Sequence, residues 1–451
     1  MAGWRPEQLG DGVKYLDVVE QIRTAIRTGA LRPGERLPTH RAFARDAGVA
    51  ISTITQAYAE AARHHLVAGQ VGRGTFVLAD SNDAALFAAT ATGDADIVDF
   101  SANSPAINRE SDDLHRTLAE VAKSRDAGEG YPSVATLLRG RLAMERLLID
   151  RGLDTSAADM VLTPGAQHGL FAALLSLAGP GNRVLAEELT FPGLKAAARQ
   201  LHIELIPVRL DREGLLPDDL DRQAARTKAT VLVCVPALQN PTGATMSLQR
   251  CRDITQVAAR RGLTIIEDDV YGSLQDEPCL ASIATQNTIL VTSTSKAIEP
   301  GLRIGALVGP PHLLASVAAE VQLTSWGVST TSIEVLCRWA TDGTAGRRVA
   351  WQRNEVNERW RLASQLLGPS PHQPAPHRFI PVERNANRIA AACEQAGALV
   401  VPSTVLGIGP NPPKGIRLSL TAPRSRSALH AALSAITPIL LRHATRDPGL
   451  R

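Results

Sequence analysis

Thr288-Ile289-Leu290-Val291-Thr292-Ser293-Thr294-Ser295-Lys296 opens with a run of β-branched and apolar residues of strand length and closes on small hydroxyl residues and a lysine. A lysine carried to the end of a buried strand has a desolvated amine, and that makes it a nucleophile for carbonyl groups. Seven residues further on, Pro300-Gly301-Leu302-Arg303 places an arginine after a glycine turn. Its planar guanidinium can grip a phosphate through two parallel hydrogen bonds, and Ser293 adds a neutral donor to the same group. The stretch therefore predicts an amine and a phosphate-binding corner side by side at a strand end.

Working outward, other short apolar runs predict strands at Val161–Thr163, Arg183–Ala186, Thr230–Val235, Leu263–Ile266 and, near the far end, Gly415–Leu420. Helix-like stretches separate them, which argues for an α/β fold with a mostly parallel, helix-covered sheet. From about residue 311 the chain reads as helical and then returns to short strands. Several of the runs end in polar motifs. Thr163-Pro164-Gly165-Ala166-Gln167 ends a strand and opens a helix, whose first N–H groups would cradle a phosphate. Ile266-Glu267-Asp268-Asp269-Val270-Tyr271 ends another strand in three carboxylates, any of which could be the functional one. A metal cluster is disfavoured because no histidine lies close by. Asn240-Pro241-Thr242-Gly243, Thr190-Phe191-Pro192-Gly193 and Gly415-Ile416-Arg417-Leu418-Ser419-Leu420 complete the set.

In their order and spacing these motifs resemble the fold-type I, aspartate-aminotransferase-like enzymes over about residues 97–440, a family with a small C-terminal subdomain. The resemblance implies pyridoxal phosphate as cofactor. It implies that Lys296 forms the Schiff base and that Gly165, Ala166, Gln167, Ser293 and Arg303 gather at the phosphate. Asp268, three before Tyr271, is expected to pair with the pyridinium nitrogen, which makes the ring an electron sink. Tyr271 and Asn240 are expected at the phenolic oxygen, Phe191 stacked on the ring, and Arg417 on the α-carboxylate of an amino-acid ligand. One place departs from the family pattern: the glycine expected four or five residues before Leu138-Arg139 is missing around Tyr131-Pro132-Ser133-Val134-Ala135. A role for Tyr131 at a partner subunit's phosphate is therefore in doubt.

The first 78 residues have a different character. Tyr15, Val18, Val19, Ile22 and Ile26 recur at helical spacing and Gly29 follows as a stop. After the turn-rich Leu31–Leu37, Thr39 is a good N-cap for a second helix that ends at Gly48. A third helix is expected from about Ser52, with Ile54, Tyr58 and Ala61 inward, then two short strands in Leu66–Val77 around the turn Gly72-Arg73-Gly74. Three helices and a two-stranded wing make a winged helix. Residues 12–78 resemble the GntR-type winged helix-turn-helix. In that family the third helix enters the major groove by its first turn, here Ala50, Ile51, Ser52, Thr53 and Thr55, and Arg41 matches a position that contacts DNA. Arg73, between Gly72 and Gly74, would reach a phosphate or the minor groove. Ile51 stands where a polar or basic residue is usual, which suggests an apolar contact to a thymine methyl. His65 replaces the usual glycine before the wing.

Charge placement agrees with that division. Ten Lys and Arg against seven Asp and Glu fall within residues 1–78, so the whole net charge of +3 sits there. The five cysteines (Cys234, Cys251, Cys279, Cys337, Cys393) are scattered without a C-x-x-C pair, so neither a disulfide framework nor a zinc site is expected. With no signal segment and no membrane-length apolar run, a cytoplasmic protein is expected.

Residues 79–96, rich in Ala, Asp and Thr, read as a linker between residues 1–78 and 97–451. A GntR-type winged helix joined to an aminotransferase-like domain resembles the MocR group of regulators. That resemblance implies a homodimer that binds operator DNA and senses a small amino compound, or pyridoxal phosphate itself. The same residues would serve genuine transamination, so an active aminotransferase with a DNA-binding appendage is the competing expectation.

Overall fold

The computed structural model describes residues 15–27, 31, 35–63, 66–70, 74–77, 97–123, 130–149, 151–277, 279–383 and 385–445. The chain divides into two compact units, Met1–Gly93 and Asp94–Arg451. The expected linker, the turn residues Gly72 and Arg73, and His65 lie outside the described residues.

In the smaller unit the helices are Tyr15–Arg27, His40–Ala47 and Ile51–Arg63. Thr39 caps the second by accepting from the Ala42 N–H at 3.3 Å. Gly48 ends it at φ 71°, with its N–H bonded to the Ala44 carbonyl. The third begins at Ile51, one residue before the expected start. Its inner face of Ile54, Ala57, Tyr58 and Ala61 packs with Val18, Val19, Ile22 and Phe43 in one core. The Tyr58 hydroxyl donates to the Pro38 carbonyl at 2.6 Å, which gives this buried phenol a partner. The strands Val67–Gln70 and Gly74–Val77 pair antiparallel, Val67 against Val77, as the wing.

The larger unit is built on a seven-stranded sheet. In spatial order the strands are Met160–Thr163, Gly305–Val308, Thr288–Ser293, Thr264–Asp268, Val231–Cys234, Arg183–Glu187 and Glu204–Val208. All neighbours run parallel except Gly305–Val308, which is antiparallel to both of its partners. The central strands are buried except at Thr264 and Ser293, which are half-buried, as expected of a sheet covered on both faces. The strand expected at Leu263–Ile266 starts at Thr264 and runs on to Asp268, so the carboxylates Glu267 and Asp268 lie within it. A small antiparallel sheet, His377–Pro381, Gly415–Ser419 and Val401–Pro402, places Arg417 in its middle strand opposite Phe379 and Val401. Helices Pro311–Ser325, Thr330–Thr341 and Thr344–Leu367 precede it.

Candidate functional site

Parallel strands deliver their C-terminal ends to one edge of a sheet, where ligand sites of α/β folds form. Asp268 ends one such strand and Ser293 the next, and Lys296 follows Ser293 by three residues.

The three adjacent carboxylates have three different fates. Glu267 accepts from the N–H groups of Leu280 and Ala281, at 2.9 and 2.7 Å, and is a structural clamp. Asp269 is held by Arg151 in a buried ion pair at 3.0 Å, both side chains being almost inaccessible. Asp268, on the other face, accepts among the described residues only from the Val270 N–H at 3.3 Å. Burial first, and the charge of Asp269 second, push Asp268 up to about 7, against the opposing pull of Lys296. It is the one of the three that no arginine or pair of amides has claimed.

Lys296 is half-buried, and its Nζ donates to the Asn103 carbonyl. Burial, then the nearby charges of Arg417 and Arg303, bring its amine down to about 8, while Asp268 pulls the other way. An amine so lowered is available in its neutral form near physiological pH.

Asn103 is the hub that sequence reasoning missed. Its Nδ2 donates to the Tyr271 hydroxyl at 2.7 Å and contacts His377 Nδ1 at 3.1 Å, and its Oδ1 accepts from Ser419 Oγ at 3.2 Å. His377 Nε2 lies 2.9 Å from the Gln239 carbonyl, which can only accept. The ring proton is therefore on Nε2, and Nδ1 accepts from Asn103. Burial drives His377 down to about 3, so it stays neutral. Tyr271 accepts from Asn103 and keeps its own proton to donate. The Lys296 ammonium lies 5.9 Å from the Tyr271 ring centre. No local motif marks Asn103 or His377, whose contacts bridge 168 and 274 positions of sequence.

Arg417 is enclosed by the small sheet. It donates to Asn240 Oδ1 at 3.2 Å and to the Ser101 carbonyl, while its Nε has no partner among the described residues. Burial lowers it to about 10. Among the described residues no carboxylate hydrogen-bonds it, although the charge of Asp99 acts on it from farther off.

The phosphate-type corner forms at Gly165, φ 85°, which precedes the helix Ala166–Leu177. A Cβ on Gly165 would come within 2.6 Å of Arg303 Nη2, so only glycine lets the arginine lie against the helix start. Arg303 Nη1 reaches Ser295 Oγ at 3.4 Å, and Ser293 Oγ donates to Ser295 Oγ at 2.9 Å. The Ser293 hydroxyl is thus spent on Ser295, and Ser295 is the hydroxyl with a proton to offer. Gln167 turns its amide to the Gly193 carbonyl at 2.9 Å, bracing the loop that carries Phe191.

Of the expected residues, Lys296, Asp268, Tyr271, Asn240 and Arg417 form one connected set; Gly165, Ala166, Ser293 and Arg303 form the corner, with Gln167 and Phe191 beside it. Tyr131 lies elsewhere, exposed and against Trp326, ring centres 5.3 Å apart. Near it the helix Val134–Ile149 leaves Val134, Leu138, Leu142 and Ile149 exposed.

In the small unit Arg41, Ser52 and Thr55 are exposed and Thr53 is half-buried. Ile51, 49% accessible, stands out of the core at the start of the third helix. His40 Nδ1 sits 3.2 Å from Thr55 Oγ1, whose own proton goes to the Ile51 carbonyl at 3.0 Å. Gly74 lies at φ 113°, with the Arg36 side chain occupying the space a Cβ would need. Arg73 lies outside the described residues.

Among the described residues no group of His, Cys, Asp and Glu is placed to hold a metal ion, and no helix is long and apolar enough to cross a membrane.

Comparison with known proteins bears on both units. Residues 77–436 match the family described as aminotransferase class I and II, and residues 14–77 match the bacterial regulatory proteins of the gntR family. The chain is 24% identical over 451 residues to the HTH-type transcriptional regulator YdeF of Bacillus subtilis, covering 97% of this chain and 96% of that one. It is 30% identical over 346 residues to the HTH-type transcriptional regulator TauR of Rhodobacter capsulatus, covering 69% and 70% of the two chains. An archaeal alanine:glyoxylate aminotransferase superposes with a TM-score of 0.73 at 19% identity, over 85% of this chain and 99% of that one. That likeness establishes the fold of the larger unit.

Proposed function

The chain belongs to the aminotransferase class I and II family and carries a gntR-family DNA-binding head, the architecture of the MocR transcription regulators; from that premise we propose that it regulates transcription by binding pyridoxal phosphate and sensing an amino compound there. The family is one of pyridoxal-phosphate-dependent folds. What supports the cofactor in this chain is the fit of its own residues. A lowered amine at Lys296, an unclaimed carboxylate at Asp268 and a glycine-arginine corner at a helix start match an aldehyde, a ring nitrogen and a phosphate respectively.

In this reading Gly165, Ala166, Ser295 and Arg303 hold the phosphate, and Ser293 orients the Ser295 hydroxyl. Lys296 holds the carbonyl carbon, Phe191 covers the ring, and Asp268 keeps a proton on the ring nitrogen. Tyr271 and Asn240 serve the phenolic oxygen, and Asn103 fixes the direction of the Tyr271 proton. Bound there, the cofactor supplies a carbonyl that exchanges with primary amines and a ring that accepts electron density. Arg417 receives the carboxylate of the amine.

In the head, Arg41, Arg73 and the Gly74 backbone serve phosphates, while Ser52, Thr53, Thr55 and Ile51 face base edges. The exposed apolar face of Val134–Ile149, with Tyr131 and Trp326, is the surface through which two copies pair, so that two heads meet a repeated half-site. The sensing reading is carried by Arg417, a buried guanidinium with an unpartnered Nε and no carboxylate of its own.

The test is a mobility-shift titration of the full-length protein, loaded with pyridoxal phosphate, on its own upstream DNA. An amino acid is added and the cofactor's visible absorbance is followed in parallel. Affinity for DNA should change at the concentration that changes the absorbance. Steady turnover with a 2-oxo acid and no binding to any fragment would favour the aminotransferase reading instead.

A further inference from the structure

A narrow, partly open pocket lies beside Lys296, and no residue of the phosphate corner lines it. Its lining combines Lys296, Tyr271 and Asn103 with Gln352 and Thr421, and apart from Ser104 the rest of the described wall is apolar. Thr421 spends its proton on the Ser104 carbonyl at 2.6 Å. Gln352, on the buried face of Thr344–Leu367, donates its amide to the Ala106 carbonyl. That bond fixes which end of the amide is nitrogen, because a carbonyl only accepts. The other end, Oε1, is buried and has no partner among the described residues. Buried acceptors are nearly always satisfied, so an orphan in a pocket wall calls for a donor from outside.

The wall restricts what that donor can be. No carboxylate is among the described lining residues, so a cationic side chain would enter unpaired, next to Lys296. An anionic side chain would meet the Gln352 oxygen, which repels it, and Arg417 is already assigned to the α-carboxylate. What remains is a neutral group with an N–H or O–H on a short apolar stem.

We propose that Gln352 sets the specificity of this site, and that the pocket takes an α-amino acid whose side chain ends in a carboxamide or hydroxyl. The inference rests on the reading of Lys296 and Arg417 given above. A ligand lacking the donor would fill the same volume and leave Oε1 unpaired, so discrimination is against the apolar analogue.

Full-length protein loaded with pyridoxal phosphate is titrated with L-glutamine, L-homoserine, L-norleucine, L-glutamate and L-ornithine while the cofactor absorbance is followed. Glutamine or homoserine should half-saturate at concentrations roughly 10- to 100-fold below norleucine, the usual consequence of leaving a buried acceptor unpaired. Glutamate and ornithine should be weaker still. Gln352→Leu should erase the preference over norleucine while leaving cofactor loading unchanged. Gln352→Glu, which keeps the shape of the side chain if the leucine variant does not fold, should transfer the preference to ornithine. Equal half-saturation by glutamine, homoserine and norleucine, or a preference that survives both substitutions, overturns the assignment of Gln352 alone. A loaded protein that responds to none of the five overturns the sensing reading and this inference with it.

Discussion

The two units present the side chains proposed for function to opposite environments. In the head, Arg41, Ser52, Thr55 and Ile51 stand in solvent, on helices whose other faces form the core. In the larger unit Asp268, Tyr271 and Arg417 are buried and Lys296 half-buried near strand ends, and their acidities are displaced from ordinary values. The difference follows from the partner. A duplex is met on a surface with little burial of the reader beforehand, whereas a reactive amine must be kept dry before its ligand arrives. Substitutions in the head therefore report on the partner almost directly, since surface changes cost within about 0.5 kcal/mol of stability. In the larger unit every substitution also alters a packed polar network, and its reading needs a control that separates fold from binding.

The sharpest break of the comparison is Lys296→Ala. It should abolish borohydride fixation of the cofactor altogether and leave the head's DNA affinity in cofactor-free protein unchanged. Cofactor fixed on another lysine would refute the assignment. The same residue gives a pH dependence. Its amine, lowered to about 8 from 10.5, is neutral above about pH 8, so cofactor uptake should slow as pH falls through that value. For folding, the unfolded chain binds the extra proton between about 8 and 10.5, so this group's contribution to stability rises with pH across that window.

Next in size come the adjacent carboxylates. Asp269→Asn removes one side of the buried pair with Arg151 and should cost about 3–5 kcal/mol of stability, read as a lowered melting temperature. Asp268→Asn relieves a desolvated acid and should melt no lower than the parent, yet bind pyridoxal phosphate more weakly. Equal losses in both assays for both variants would erase the distinction between scaffold and site in this segment.

Arg417→Ala should leave cofactor loading intact and weaken a carboxylate-bearing amine by about 2–4 kcal/mol. An amine without a carboxylate serves as the control and should be unaffected. If both ligands weaken alike, Arg417 acts by supporting Asn240 and Ser101 and not by holding an anion. If neither weakens, the effector is an amine without a carboxylate or the cofactor itself, and the cofactor-sensing reading gains.

What sequence could show in this chain tracks how local the cause is. Thr288–Ser293 is legible because a strand covered on both faces must be apolar along its length. Thr39 and Gly48 are legible because capping is decided within one turn. The choice of Asp268 over Asp269 follows from strand alternation and from the spacing to Tyr271. Asn103, His377 and Gln352 carry no such mark. Their partners lie 138 to 316 positions away, and only the closure of the small sheet and the long helix against the strand ends brings them in. Ser295 lies within the motif and is still not singled out by it, because which of two hydroxyls keeps a proton depends on the Ser293–Ser295 bond and on Arg303. Glu267 shows the converse: its clamp on Leu280 and Ala281 is structural, although its sequence context matches that of Asp268, the neighbour proposed for the ring nitrogen.

The smallest expected effects lie in the head and decide whether its exposed residues divide their labour. Arg41 is an exposed cation at the start of the second helix, suited to a phosphate, and phosphate contacts carry no sequence information. Arg41→Ala should weaken binding to all fragments alike and flatten the dependence of log affinity on log salt by about one unit. Thr53 is half-buried in the first turn of the third helix, where a side chain can reach a base edge. Its hydroxyl and methyl suit one base more than another, so Thr53→Ala should change the preference between cognate and altered half-sites by about 1 kcal/mol while the salt slope stays as it was. Titrations of both variants on two fragments at two salt concentrations separate the roles. A changed slope in Thr53→Ala, or a fragment-dependent loss in Arg41→Ala, would mean that the second helix reads bases and the third grips the backbone, which would reverse the orientation assigned to the head.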